Sequence, residues 1–117
     1  MASSVNKVIL VGRLGENVKI QYFEGGNCIA RFSLATNEIY TDSKTNEKIT
    51  NTEWHQIVVR NKMAENCEKY LKKGDKVYCE GKIKYRKWEA KDGTKNNTTE
   101  IYVSDISFLT QGPVEDA

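Results

Sequence analysis

Lys62-Met63-Ala64-Glu65-Asn66-Cys67-Glu68-Lys69-Tyr70-Leu71-Lys72-Lys73-Gly74 is the stretch that decides the fold, because it alone carries a convincing helical period. From Met63, the apolar residues Cys67, Tyr70 and Leu71 recur at offsets of four, seven and eight. That spacing gathers them on one face of a helix. Lys72 and Lys73 suit the last turn, where cations meet the negative end of the helix dipole, and Gly74 stands where a C-terminal cap belongs. The segment predicts a helix over 62–73.

On both sides of this helix the sequence is strand-like. Upstream, Asn6 to Leu14 is β-branched and punctuated by Gly12 and Gly15, which predicts a strand buried on much of both faces. Val18 to Phe23 leads into Gly25-Gly26-Asn27, a tight-turn signal, so a hairpin follows. Cys28, Ala30, Phe32 and Leu34 then alternate towards a core, while Ile29, Arg31, Ser33 and Ala35 make a mixed outer face. Tyr40 to Asn51 is polar and without period, which predicts a long loop. In Glu53 to Asn61 one face holds His55, Ile57 and Val59, and the other Trp54, Gln56, Val58 and Arg60. Downstream, Val77 to Trp88 is a long strand and Asp92-Gly93 a turn. Thr98 to Val103 is the last clear strand, with Ile106 and Phe108 extending it. Three strands, one helix and two strands make an all-β order: an OB-fold, a five-stranded Greek-key barrel with one helix between strands 3 and 4. Residues 1–110 are assigned to that domain. Residues 111–117, short and polar, are assigned to a flexible C-terminal end.

Composition narrows the function classes. The 117 residues suit one core, and a net charge of only +2 means that any electrostatic argument must come from where charges sit. Cys28, Cys67 and Cys79 are odd in number and form no Cys-x-x-Cys pair, as expected of reduced thiols and not of a disulfide framework. No apolar run approaches the roughly 20 residues that cross a bilayer. Neither a signal core nor an Arg-rich leader opens the chain, so the expected location is the cytoplasm; the alternative is an organellar matrix after a leader is removed.

The chemistry gathers on the strand Lys82 to Trp88. Lys82, Lys84, Arg86 and Trp88 share one face, and Ile83 and Tyr85 share the other with Val77 and Cys79. Cations neutralise phosphates, and an indole set among them offers a stacking surface to any base. An indole on a charged face argues for binding over core packing. Trp54 has the same potential beside Gln56 and Arg60, although Val58 on that face also allows burial. Tyr40, at the mouth of the polar segment, is either a lid on the core or a further stacking surface. Lys7, Arg13, Lys62, Lys73 and Lys87 are candidates for a phosphate track. His55 lies among apolar residues, where a lone histidine is more often a hydrogen-bonded core or interface residue than a catalyst. No motif supplies a base, a nucleophile and an orienting group, and the cysteines with His55 lack zinc-ligand spacing.

Val5-Asn6-Lys7-Val8-Ile9-Leu10-Val11-Gly12-Arg13-Leu14-Gly15 closely resembles the first strand of bacterial-type single-stranded DNA-binding proteins. Thr52-Glu53-Trp54-His55, Tyr70-Leu71-Lys72-Lys73-Gly74, the Gly81 to Trp88 block and Thr98-Thr99-Glu100 match in order and spacing, so the resemblance covers about residues 5 to 109. It implies an OB-fold that assembles as a homotetramer and wraps single-stranded DNA. By the same resemblance Tyr40, Trp54 and Trp88 stack on bases. Lys7, Lys62, Lys73, Lys84, Arg86 and Lys87 face phosphates, and His55 lies at a subunit contact. Position 60, often an aromatic stacker in the family, is Arg60 here, whose guanidinium can stack on a base or meet a phosphate. Position 40 is Tyr40 where tryptophan is common.

The expectation is therefore a protein that coats single-stranded DNA without sequence preference in replication, recombination and repair. It needs no catalysis, cofactor or metal. The alternative is an OB-fold replication-restart adaptor that acts mainly through protein partners. Family members usually continue into an acidic-tipped tail that recruits replication and repair proteins; this sequence stops at Gly112-Pro113-Val114-Glu115-Asp116-Ala117, so such recruitment depends on a tail beyond it.

Overall fold

The computed structural model describes residues 3–110; the expected flexible end, 111–117, lies outside the described residues. In order come β1 (Val8–Leu14), β2 (Lys19–Tyr22), β3 (Cys28–Thr41), β4 (Lys48–Arg60), α1 (Asn61–Tyr70), β5 (Lys76–Glu89) and β6 (Lys95–Thr110). Neighbouring strands follow the order β1-β5-β6-β4-β3-β2, and β1 also pairs with β3 through Arg13↔Ala35 and Leu14↔Leu34. That extra pairing closes the sheet into the expected five-stranded barrel, with β2 continuing the course of β1 along β3. One contact is parallel, β4 with β6, and every other ladder is antiparallel. Closure brings β1 so near β3 that a Cβ at Gly12 would collide with the Ala35 carbonyl oxygen.

The inward residues of the alternating strands form the core. Phe32, Leu34, Ile57, Val59, Val77 and Cys79 are fully buried, each large apolar side chain worth about 1.5–3 kcal/mol of burial. Ala64 and Cys67 of α1, with Leu71 just after it, join this core. The helix opens at Asn61, whose φ of 57° lies in the left-handed region that asparagine tolerates. Its Oδ1 accepts a hydrogen bond from the Cys28 N–H at 3.1 Å, which ties the helix start to β3.

Several expectations are corrected. The helix ends at Tyr70, not at Lys73, because Leu71 turns extended (φ −105°, ψ 147°) to reach the core. Gly74 is accordingly no cap; at φ 96° it turns the chain into β5 and donates its N–H to the Leu14 carbonyl. The long loop over Tyr40–Asn51 is instead a hairpin arm, paired continuously from Ile29↔Arg60 to Thr41↔Lys48. Both faces of that arm are solvated, so no hydrophobic alternation marks it in the sequence. β1 is buried on one face only, since Ile9 and Val11 are exposed on the other. Tyr85, expected beside Ile83, is 72% exposed, because β5 has by then left the barrel and runs out with β6 as a second arm. The turns at Gly25-Gly26 and Asp92-Gly93 form where expected, with positive φ at all three glycines.

Candidate nucleic-acid interface

Residues directly opposed in a ladder point to the same side of the sheet, so register decides which side chains share the outer face. Across β5 and β6 the pairs are Lys82↔Tyr102, Lys84↔Glu100, Arg86↔Thr98 and Trp88↔Asn96. β4 joins β6 through Val58↔Tyr102, and β3 joins β4 through Arg31↔Val58, Ser33↔Gln56 and Ala35↔Trp54. One continuous face thus carries Trp88, Arg86, Lys84 and Lys82, then Glu100 and Tyr102, then Trp54, Gln56, Val58 and Arg60, and last Arg31. Val58 is 1% exposed although it points outwards.

Both indoles are open and oriented. Trp54 is 58% and Trp88 43% exposed. The Trp88 Nε1–H donates to the Thr98 hydroxyl at 3.0 Å, which fixes the ring plane. A Cβ at Gly15 would collide with the Trp54 ring, and the Ser33 hydroxyl lies at the same spot, so the indole rests over the bend that ends β1. In the sequence Gly15 only punctuates the first strand.

On the same outer face, towards the Arg60 end of β4 and beyond both indoles, an open groove of ≈ 590 Å³ is lined by Lys7, Arg60, Glu80, Lys82, Lys84 and Tyr102. Lys7 is paired with Glu80 at 3.0 Å, and the Tyr78 hydroxyl donates to the same carboxylate. These two partners, Lys7 first, hold the Glu80 carboxyl below the usual carboxylate range, and Glu80 in turn raises Lys7. Glu100, 2% exposed, holds the Nε atoms of Arg86 and Arg31 at 3.3 and 3.6 Å. Its second oxygen and the Arg31 Nε have no hydrogen-bond partner.

The remaining expected residues fall elsewhere. Lys62 lies in the first turn of α1 and Lys73 in the turn that follows the helix; neither lines the groove. Lys87 pairs with Asn97, on the face of the β5–β6 arm opposite Trp88. Tyr40 is 49% exposed and pairs with Ile49, on the face of the β3–β4 arm opposite Trp54. His55 is half-buried, 2.9 Å from the Thr36 hydroxyl through Nε2. All three cysteines are buried, and burial pushes the Cys67 and Cys79 thiols up to about 12. Among the described residues no cluster of histidine, cysteine and carboxylate side chains could hold a metal ion.

The sequence profile of the Single-strand binding protein family matches residues 5–109. The chain belongs to this family. As a family member it is similar to the Plasmodium falciparum SSB solved in complex with ssDNA: 40% identity, TM-score 0.84, covering 94% of this chain and 99% of that one. It is also similar to a deletion mutant of the single-stranded DNA binding protein from Thermus aquaticus, at 26% identity and TM-score 0.76. That match covers 91% of this chain but only 51% of the Thermus chain. Arg31, Tyr102 and Glu100 are the parts of this face that sequence reasoning did not assign to binding. No local pattern marks them, since they meet only through the register of β6 with β4 and β5 and of β4 with β3.

Proposed function

We propose that this single-strand binding protein coats single-stranded DNA without reading its sequence, in replication, recombination and repair, and catalyses nothing. The observation that carries the reading is one outer face that bears two exposed indoles and a groove lined by cations. Stacking serves every base and cations serve every phosphate, so neither discriminates sequence. The Plasmodium relative's complex with ssDNA supports the same reading. Trp54 and Trp88 are the principal platforms, with Tyr40 reached where the strand passes round the β3–β4 arm. Lys7, Arg60 and Lys84 meet phosphates at the groove, Arg86 beside it, and Lys62, Lys73 and Lys87 along its continuation. Tryptophan fluorescence during titration with oligo-dT tests this: strong quenching by the single strand and none by duplex supports it, and absence of both quenching and binding rejects it.

The assembly we propose is a homotetramer, in the cytoplasm or an organellar matrix. Residues Val8–Gly12 of β1 pair only with β5, so their other edge has no strand partner among the described residues, and exposed Ile9 and Val11 lie along it. Such an edge is a template for a second copy of itself. Native mass spectrometry should give about four times the 13.3 kDa chain. A dimer would favour the adaptor reading.

A further inference from the structure

Tyr102 stands at the centre of the outer face, paired with Lys82 on one side and Val58 on the other. The strand order places it between the β5 arm that bears Trp88 and the β4 strand that bears Trp54. It is half-buried and lines the groove with Lys7, Arg60, Lys82 and Lys84. The Lys84 ammonium sits 5.0 Å from the centre of its ring. Lys84 makes no ion pair among the described residues, although Glu100 is directly opposite it, because Glu100 is occupied by Arg31 and Arg86. A cation held only by a ring face is readily exchanged, since that attraction is weak where water has access.

We propose that Tyr102 is a base-stacking platform and Lys84 its exchangeable cover. The proposal rests on the single-stranded DNA reading above. In the free protein the ammonium occupies the ring face. When a strand enters the groove, a base takes that place and Lys84 moves to an adjacent phosphate. One residue thereby covers the open face of a half-buried aromatic and supplies a counter-charge once the base arrives. The fixed position of Tyr102 on a central strand makes the stacking geometry independent of the two arms.

Oligo-dT and an abasic strand of the same length and backbone separate the ring from the charges. Tyr102→Leu should bind oligo-dT about 5- to 150-fold more weakly than the unmodified protein, the range for losing one stacked base, with an unchanged salt slope. On the abasic strand the two proteins should bind equally, and Tyr102→Phe should bind oligo-dT like the unmodified protein. Equal oligo-dT binding by Tyr102→Leu, or an equal loss on both strands, overturns the assignment. Two measurements on the unmodified protein do not depend on the variant folding. Ultraviolet crosslinking to a bromodeoxyuridine strand should mark Tyr102, and the upfield NMR shift of the Lys84 side chain over the ring should vanish at saturation. No crosslink at Tyr102, or a shift that persists, overturns the proposal. Unmodified protein that binds neither strand would refute the DNA-binding reading itself, a result separable from failure of Tyr102 alone.

Discussion

On the proposed reading, Trp88, Gly15 and the Lys7–Glu80 pair set how the face meets single-stranded DNA. Trp88, open and aimed by Thr98, should lose about 1–3 kcal/mol of oligo-dT affinity as Trp88→Ala with the fold intact by circular dichroism. Gly15→Ala is the subtler variant. Its new methyl meets the Trp54 ring, so the indole must move, and oligo-dT binding and Trp54 quenching should fall together with little change in melting temperature. The Lys7–Glu80 pair sets the free charge of the groove. Glu80 has a lowered pKa, so whatever stability the pair adds is present above the ordinary carboxylate range and is lost as pH falls through the lowered value. Lys7 is raised, so its share persists through neutral pH and is lost only in strong alkali. Glu80→Gln therefore frees a cation at neutral pH, and the salt slope of oligo-dT binding should steepen by about 0.7. An unchanged slope would remove Lys7 from the phosphate track.

Among the elements, the two arms and the Glu100 cluster behave differently. The β3–β4 arm beyond Glu38↔Asn51 buries almost nothing. Replacing Ile39–Thr50 by Asn-Gly should leave thermal stability nearly unchanged, and, on the proposed role of Tyr40, should shorten the length of oligo-dT that the protein occludes. Glu100 instead links β6 to Arg31 on β3 and Arg86 on β5, bridging across β4. Both guanidiniums are partly exposed, so solvent tempers the loss, and Glu100→Ala should cost about 1–3 kcal/mol by urea unfolding. The β3–β4 arm was missed in the sequence because a ribbon solvated on both faces carries no alternation, whereas the strand to Trp88 and the Asp92-Gly93 turn of the β5–β6 arm were legible. Helix α1 was found because its inner face is apolar at the right spacing, and only its last turn was overrun.

At the scale of the whole molecule the barrel acts as one unit, since closure leaves no strand of the core independent of the rest. Cys28, Cys67 and Cys79 lie within that unit, so a thiol reagent should modify none of them in folded protein at neutral pH. All three should react together at the rate of global unfolding, which makes thiol labelling a direct measure of it. Labelling of one cysteine ahead of the others would show that the barrel opens in parts.

By itself the sequence determined the strand–helix order, the two glycine turns, the inward sets such as Cys28, Ala30, Phe32 and Leu34, and the outward placing of Lys82 to Trp88. Each follows from a period or a backbone requirement that acts within a dozen residues. Only the tertiary structure decided that Trp54 rests over Gly15, that Glu100 holds two arginines, and that Tyr102 lies under Lys84. Those contacts join residues far apart in the chain. Their partners are chosen by barrel closure and strand register, which no local pattern encodes.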